Sequence, residues 1–100
     1  MVEDRLVWID LEMTGLDPYE NTIIEIATIV TEADLSIVAE GPSFEISVSE
    51  EDLAKMDEWN VSHHTENGLI ERVRNSETSM SDAEIATLEF LQIHCLAGVP

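Results

Sequence analysis

Strands in the first half and helices in the second predict an α/β domain, and three observations carry that prediction. Apolar and β-branched residues concentrate in two runs of strand length, LVWIDL at 6–11 and IIEIATIVT at 23–31. Between them Thr14-Gly15-Leu16-Asp17-Pro18 supplies Gly and Asp-Pro turn chemistry. From Ser49 onward, helix-start signals replace β alternation.

The run at 6–11 is rich in β-formers and reads as a strand covered on both faces, although only one neighbour for it is evident. The run at 23–31 is the clearest strand, with Glu25 its only charge. Glu32-Ala33-Asp34 is a plausible hairpin turn into a third strand at 36–40, and Gly41-Pro42 reads as a break. At 44–48, Phe44, Ile46 and Val48 alternate with Glu45 and Ser47, as in a strand with one wet face. Three or four antiparallel strands are therefore expected. Ser49 with Asp52 resembles a capping box before a short acidic helix reaching about Asp57. Residues 60–75 read as two helical pieces interrupted by Gly68. Ser81-Asp82-Ala83-Glu84 is an S-x-x-E box opening a last helix, with Ile85, Leu88, Leu91 and Cys95 on one stripe.

Size and composition narrow the function. One hundred residues make one small domain or a piece of a larger one. A hydrophobic content of 44% argues against disorder. No apolar run approaches the ~20 residues that span a bilayer. Val2-Glu3-Asp4 is too acidic to open a signal peptide. Cys95 is the single cysteine, which excludes an internal disulfide framework and a Cys-based zinc site. These features point to the cytoplasm. The 22 acidic residues against 4 basic ones, net −18, repel long polyanions. A nucleic-acid enzyme of this charge needs divalent cations and a short ligand gripped at one end.

Asp10 and Glu12 carry the strongest chemical signal. On a strand, residues i and i+2 share a face and lie roughly 6.5–7 Å apart. Two carboxylates so placed can bracket a hard cation or hold one of two cations. A strand end emerging into water gives the same pattern. Against that, the preceding stretch is almost wholly apolar, Trp8 shares the face, and no basic residue stands nearby in sequence.

The wider stretch from Trp8 to Pro42, WIDLEMTGLDPYENTIIEIATIVTEADLSIVAEGP, resembles the oligoribonuclease family, 3′-to-5′ exoribonucleases of the DEDD superfamily. The resemblance continues through MDEWNVSHHTENGL at 56–69 and AEIATLEFL at 83–91, and the DLEMTGLD block is its most specific portion. It implies a ribonuclease H-like mixed sheet with flanking helices, of which residues 1–100 would be the N-terminal part of a single exonuclease domain. It also implies a homodimer that degrades short RNA, down to dinucleotides, with two Mg²⁺ or Mn²⁺ ions. Asp10 and Glu12 match the first motif's catalytic metal ligands. Leu16 matches an apolar wedge between two terminal bases, and Gly15 before it would let the backbone approach a ligand. Met13 and Thr14 match positions whose backbone faces the 3′-terminal ribose. Trp59 matches an aromatic that stacks on a base, and His64 a phosphate-contacting histidine.

Read without the resemblance, Leu16 fits a turn leucine folded onto the core, and Trp59 a lid over it. His63 and His64 fit ordinary exposed histidines, while Glu25 reads as structural. One observation independent of the family concerns charge. Four of the seven possible cations (four Lys and Arg plus three His), namely His63, His64, Arg72 and Arg74, cluster in residues 63–74. They form the one evident patch offering a phosphate a partner. The family's third and fourth acids and its general-base histidine have no match here, which leads to an expectation of truncation after Pro100 and of little activity in this chain. A non-catalytic dinucleotide-binding or assembly module and another DEDD-type exonuclease remain as alternatives.

Overall fold

The structure is a computed structural model and describes residues 4–98 and Pro100; the acidic start read from Val2 and Glu3 lies outside those residues. Strands β1 (Leu6–Met13), β2 (Ile23–Thr31) and β3 (Ile37–Glu45) form one antiparallel sheet in the order β1-β2-β3. Paired on both sides, β2 has no exposed residue, as its composition predicts. The hairpin between β2 and β3 forms at the expected acids, with the Leu35 N–H donating to the Glu32 carbonyl over 3.0 Å.

Strand β1 departs from expectation. It runs on to Met13, so Glu12 joins the ladder opposite Glu25. Among the described residues it has one strand neighbour, and Trp8, Ile9 and Asp10 are exposed on it. An apolar run signals burial in general but does not say which of its faces or edges is covered, so the expectation of two covered faces fails at these three positions.

Three irregularities interrupt the register, one of them between Val30 and Thr31 at the end of β2. Glu12 pairs with Glu25 and Met13 with Ile23, which leaves Ile24 as the extra residue of a β-bulge. Ile24 turns into the core and is completely buried with Leu53, Met56, Leu69 and Val73. The second irregularity corrects the expected break at Gly41-Pro42. Ala27 pairs with Ser43 and Ile29 with Glu40, so β3 uses three steps where β2 uses two. One continuous strand thereby absorbs both breakers as a bulge, and the two short strands expected at 36–40 and 44–48 become one. A Cβ on Gly41 would lie 2.7 Å from the Phe90 ring and 2.8 Å from the Thr28 carbonyl oxygen, so only glycine fits there.

The helices follow as α1 (Glu50–Leu53), α2 (Glu58–Glu66), α3 (Leu69–Arg74) and α4 (Met80–His94). Ser49 Oγ accepts the Asp52 N–H over 3.0 Å, and Asp57 Oδ1 accepts the Asn60 N–H over 2.8 Å, capping α1 and α2. Gly68, at φ 71°, separates α2 from α3 as its placement predicts. The capping box of α4 is Ser79 with Asp82, two residues before the expected Ser81–Glu84 box. Its packed face also differs. Ala83 and Thr87 are buried and Phe90 partly so, whereas Ile85 and Leu88 of the expected stripe are about half exposed. Small residues let α4 approach β3 closely at Gly41, and that non-local fit overrides the apolar periodicity. No helix among the described residues is long and apolar enough to cross a membrane.

Candidate active site at the end of β1

The site grows from the turn that leaves β1. Thr14 is buried and ties the turn at both of its polar groups: its N–H donates to the Thr22 carbonyl over 2.9 Å, and its Oγ1 accepts the Thr22 N–H over 3.0 Å. Asp17 Oδ1 accepts the Tyr19 N–H over 2.9 Å, while the Asn21 side chain accepts the Asp17 N–H over 3.1 Å. A Cβ on Gly15 would fall 2.5 Å from Asn21 Oδ1. The structural demand for glycine at 15 is thus the close approach of Asn21, itself fixed by Asp17.

This stapled turn presents Leu16 at 87% exposure, so the reading of a turn leucine folded onto the core does not hold. Across from it α2 presents Trp59 at 67% exposure, which removes the reading of a core lid. The Trp59 indole stacks on the His63 ring, with centroids 4.8 Å apart and planes 13° apart. Between these elements lies an open cleft of about 490 Å³. Glu12, Met13, Thr14, Gly15, Leu16 and Trp59, all singled out from the sequence, line it together with Asn21, Lys55, Asp57 and Asn60.

The remaining two sequence candidates sit elsewhere. Asp10 is exposed on β1, shares the face of Glu12 by strand alternation, and has no ion-pair partner among the described residues. His64 is 1% exposed and does not line the cleft. Its Nε2 lies 3.1 Å from the Met13 carbonyl oxygen, an acceptor-only group, so Nε2 carries the proton and donates. Its Nδ1 has no hydrogen-bond partner and lies 3.9 Å from Glu12 Oε2, too far for a hydrogen bond.

The two arginines of the cationic patch expected at 63–74 are already engaged with carboxylates. Arg72 Nε donates to Glu45 Oε1 over 2.9 Å, and its Nη2 lies 3.6 Å from Glu25 Oε2. Arg74 donates to both carboxylate oxygens of Glu50, over 2.7 and 3.1 Å. Periodicity cannot reveal these pairings, because each partner lies more than twenty residues away. The cation that does line the cleft is Lys55, held loosely 3.8 Å from Glu20 and 3.9 Å from Asp52. Its sequence signal is weak because it stands alone among acids.

Glu12, Glu25 and Glu45 face one another across the three strands as successive register partners. Burial raises the Glu25 carboxyl above its ordinary range and Glu45 adds to the rise, while Arg72 opposes both. A row of carboxylates at a strand end suits a divalent cation, and exposed Asp10 with half-buried Glu12 offers the oxygen donors that Mg²⁺ or Mn²⁺ prefers.

Oligoribonuclease of Escherichia coli K12 is 57% identical over 96 residues, covering 96% of this chain and 53% of its own length. The oligoribonuclease of Klebsiella pneumoniae is 56% identical over the same span, and that of Coxiella burnetii 55%. The chain therefore spans about half the length of the curated relatives it matches. The sequence pattern of the exonuclease family matches residues 7–99, which takes in all of the sheet but Leu6, the cleft and all four helices, and the chain belongs to that family.

Proposed function

We propose that the cleft at the end of β1 is the nucleotide-binding region of a 3′-to-5′ exoribonuclease centre that degrades short oligoribonucleotides, down to dinucleotides. The observation that carries this reading is the convergence of an exposed apolar post, Leu16, an exposed aromatic, Trp59, and a carboxylate, Glu12, on one cleft. Leu16 would wedge between the terminal bases and Trp59 would stack on one of them. The turn backbone at Met13 and Thr14 would face the terminal ribose, and His64 fixes that backbone through the Met13 carbonyl. A net charge of −18 disfavours long strands and suits capture of a ligand with one or two phosphates.

Asp10 and Glu12 would hold Mg²⁺ or Mn²⁺, which when bound supplies an activated water and stabilises the leaving oxygen. By the family resemblance these are two of four required acids, and the working protein is a cytoplasmic homodimer. The 100-residue chain is accordingly expected to bind a dinucleotide yet turn it over far more slowly than a full-length relative.

Calorimetry with an RNA dinucleotide tests the reading. Trp59→Ala is expected to weaken binding by about 5- to 150-fold, the loss of one base–aromatic stack. Leu16→Ala should weaken it in the same direction. Unchanged affinity in both variants would overturn the proposal. Tight binding with no divalent cation present would instead favour a non-catalytic dinucleotide-binding module.

A further inference from the structure

The hydrogen bonding of His64 has a chemical consequence that the oxygen-only pair of Asp10 and Glu12 does not share. Because Nε2 donates to the Met13 carbonyl, the neutral imidazole carries its lone pair on Nδ1. That atom is buried, has no hydrogen-bond partner and points toward Glu12. An imidazole whose far nitrogen is fixed by a backbone carbonyl is the usual arrangement of a metal-ligating histidine. A second imidazole stands beside it: the His63 and His64 rings lie edge to face with centroids 5.3 Å apart. One ligand atom from each of Glu12, His63 and His64 lies within 4.8 Å of the other two.

We propose that Glu12, His63 and His64 form a site for a borderline transition-metal dication of the Zn²⁺ class. Two nitrogens and one carboxylate oxygen are the donor set that such ions prefer and that Mg²⁺ does not. Ligands of a tetrahedral ion with bonds of about 2.0–2.2 Å stand roughly 3.4 Å apart, so the three groups need to draw in by about 0.5–1.4 Å. Glu12 and His63 are only partly buried and have room to do so. The fourth position would be filled by water or by a ligand oxygen.

The site stands independently of the exoribonuclease reading, but one consequence rests on it. Glu12 would serve either the Zn²⁺-class ion or the catalytic Mg²⁺ or Mn²⁺. A transition metal bound here would therefore act as an inhibitor by competition for one carboxylate.

Calorimetric titration of the full 100-residue chain with Zn²⁺ in Mg²⁺-free buffer tests the proposal. The expected result is one Zn²⁺ per chain, weakened at least about 10-fold by both His63→Ala and His63→Gln, with folding of each variant checked by circular dichroism. Asp10→Asn should leave Zn²⁺ affinity unchanged. Co²⁺ should give the visible absorption of a low-coordinate nitrogen-ligated ion in the parent chain and not in the His63 variants. No Zn²⁺ binding, equal affinity in the His63 variants, or loss of binding in Asp10→Asn would each overturn it. Because the dinucleotide test reads Trp59 and Leu16 while this one reads His63, failure of either proposal is distinguishable from failure of the other.

Discussion

The two ends of the sheet are built to different standards of completeness. At the end where β1 begins, polar groups find ordinary partners: Trp8 Nε1 donates to Thr31 Oγ1 over 3.0 Å, and Arg5 donates to the His94 carbonyl over 2.6 Å. At the end where β1 leaves the sheet, three glutamates face each other and Glu25 is pushed toward protonation. There His64 keeps a buried nitrogen with no hydrogen-bond partner, 3.9 Å from Glu12. Unpaired buried polar groups cost stability, and a fold tolerates them where a ligand supplies the missing partner. The contrast singles out, without appeal to relatives, the end that the proposed function assigns to a cation and substrate.

That contrast can be attacked with three substitutions. The largest effect is expected from Ile24→Ala, which empties the completely buried bulge position beneath the site and should lower stability by about 2–5 kcal/mol in denaturant unfolding. A loss well below that range would show that the site end is loosely packed and that the bulge contributes little. Next, Gly41→Ala forces a Cβ against Phe90 and the Thr28 carbonyl, away from the carboxylate row. It should cost about 1–3 kcal/mol while leaving dinucleotide affinity unchanged. A matching loss of binding would mean the two regions are coupled.

The smallest expected effect has the opposite sign. Since Glu25 titrates above its ordinary 4.5 in the folded chain, the folded state holds more of its proton between those two values, and stability falls as pH rises through that window. Glu25→Gln removes this loss. In metal-free buffer the variant should therefore melt higher than the parent at neutral pH, with the advantage shrinking as pH falls toward 4.5. A variant that melts lower at neutral pH would show that the contact with Arg72 outweighs burial.

Much of the scaffold was legible because its signals are local. The β2 composition, the cap at Ser49, the break at Gly68 and the Asp10–Glu12 spacing depend on residues a few positions apart. What escaped depends on distant partners. Gly41-Pro42 reads as a breaker until β2 is placed beside it and the bulge absorbs the extra residue. The apolar stripe of α4 loses to a small-residue face because Phe90 has to meet Gly41. At the site, Leu16 and Trp59 were legible as candidates, whereas the burial of His64 and the engagement of Arg72 and Arg74 were not. Their partners belong to other elements.

The stapled turn has a thermodynamic meaning beyond shape. Thr14, Asp17 and Asn21 fix the backbone on both sides of Leu16, so its conformational entropy is surrendered during folding and not during ligand capture. Most of the binding free energy of a small ligand is consumed by ordering costs, and a rigid post removes one of them in advance. A dinucleotide has few atoms with which to compensate for a mobile receptor. On the proposed reading, the hydrogen bonds beneath Leu16 would matter to affinity as much as the leucine surface itself.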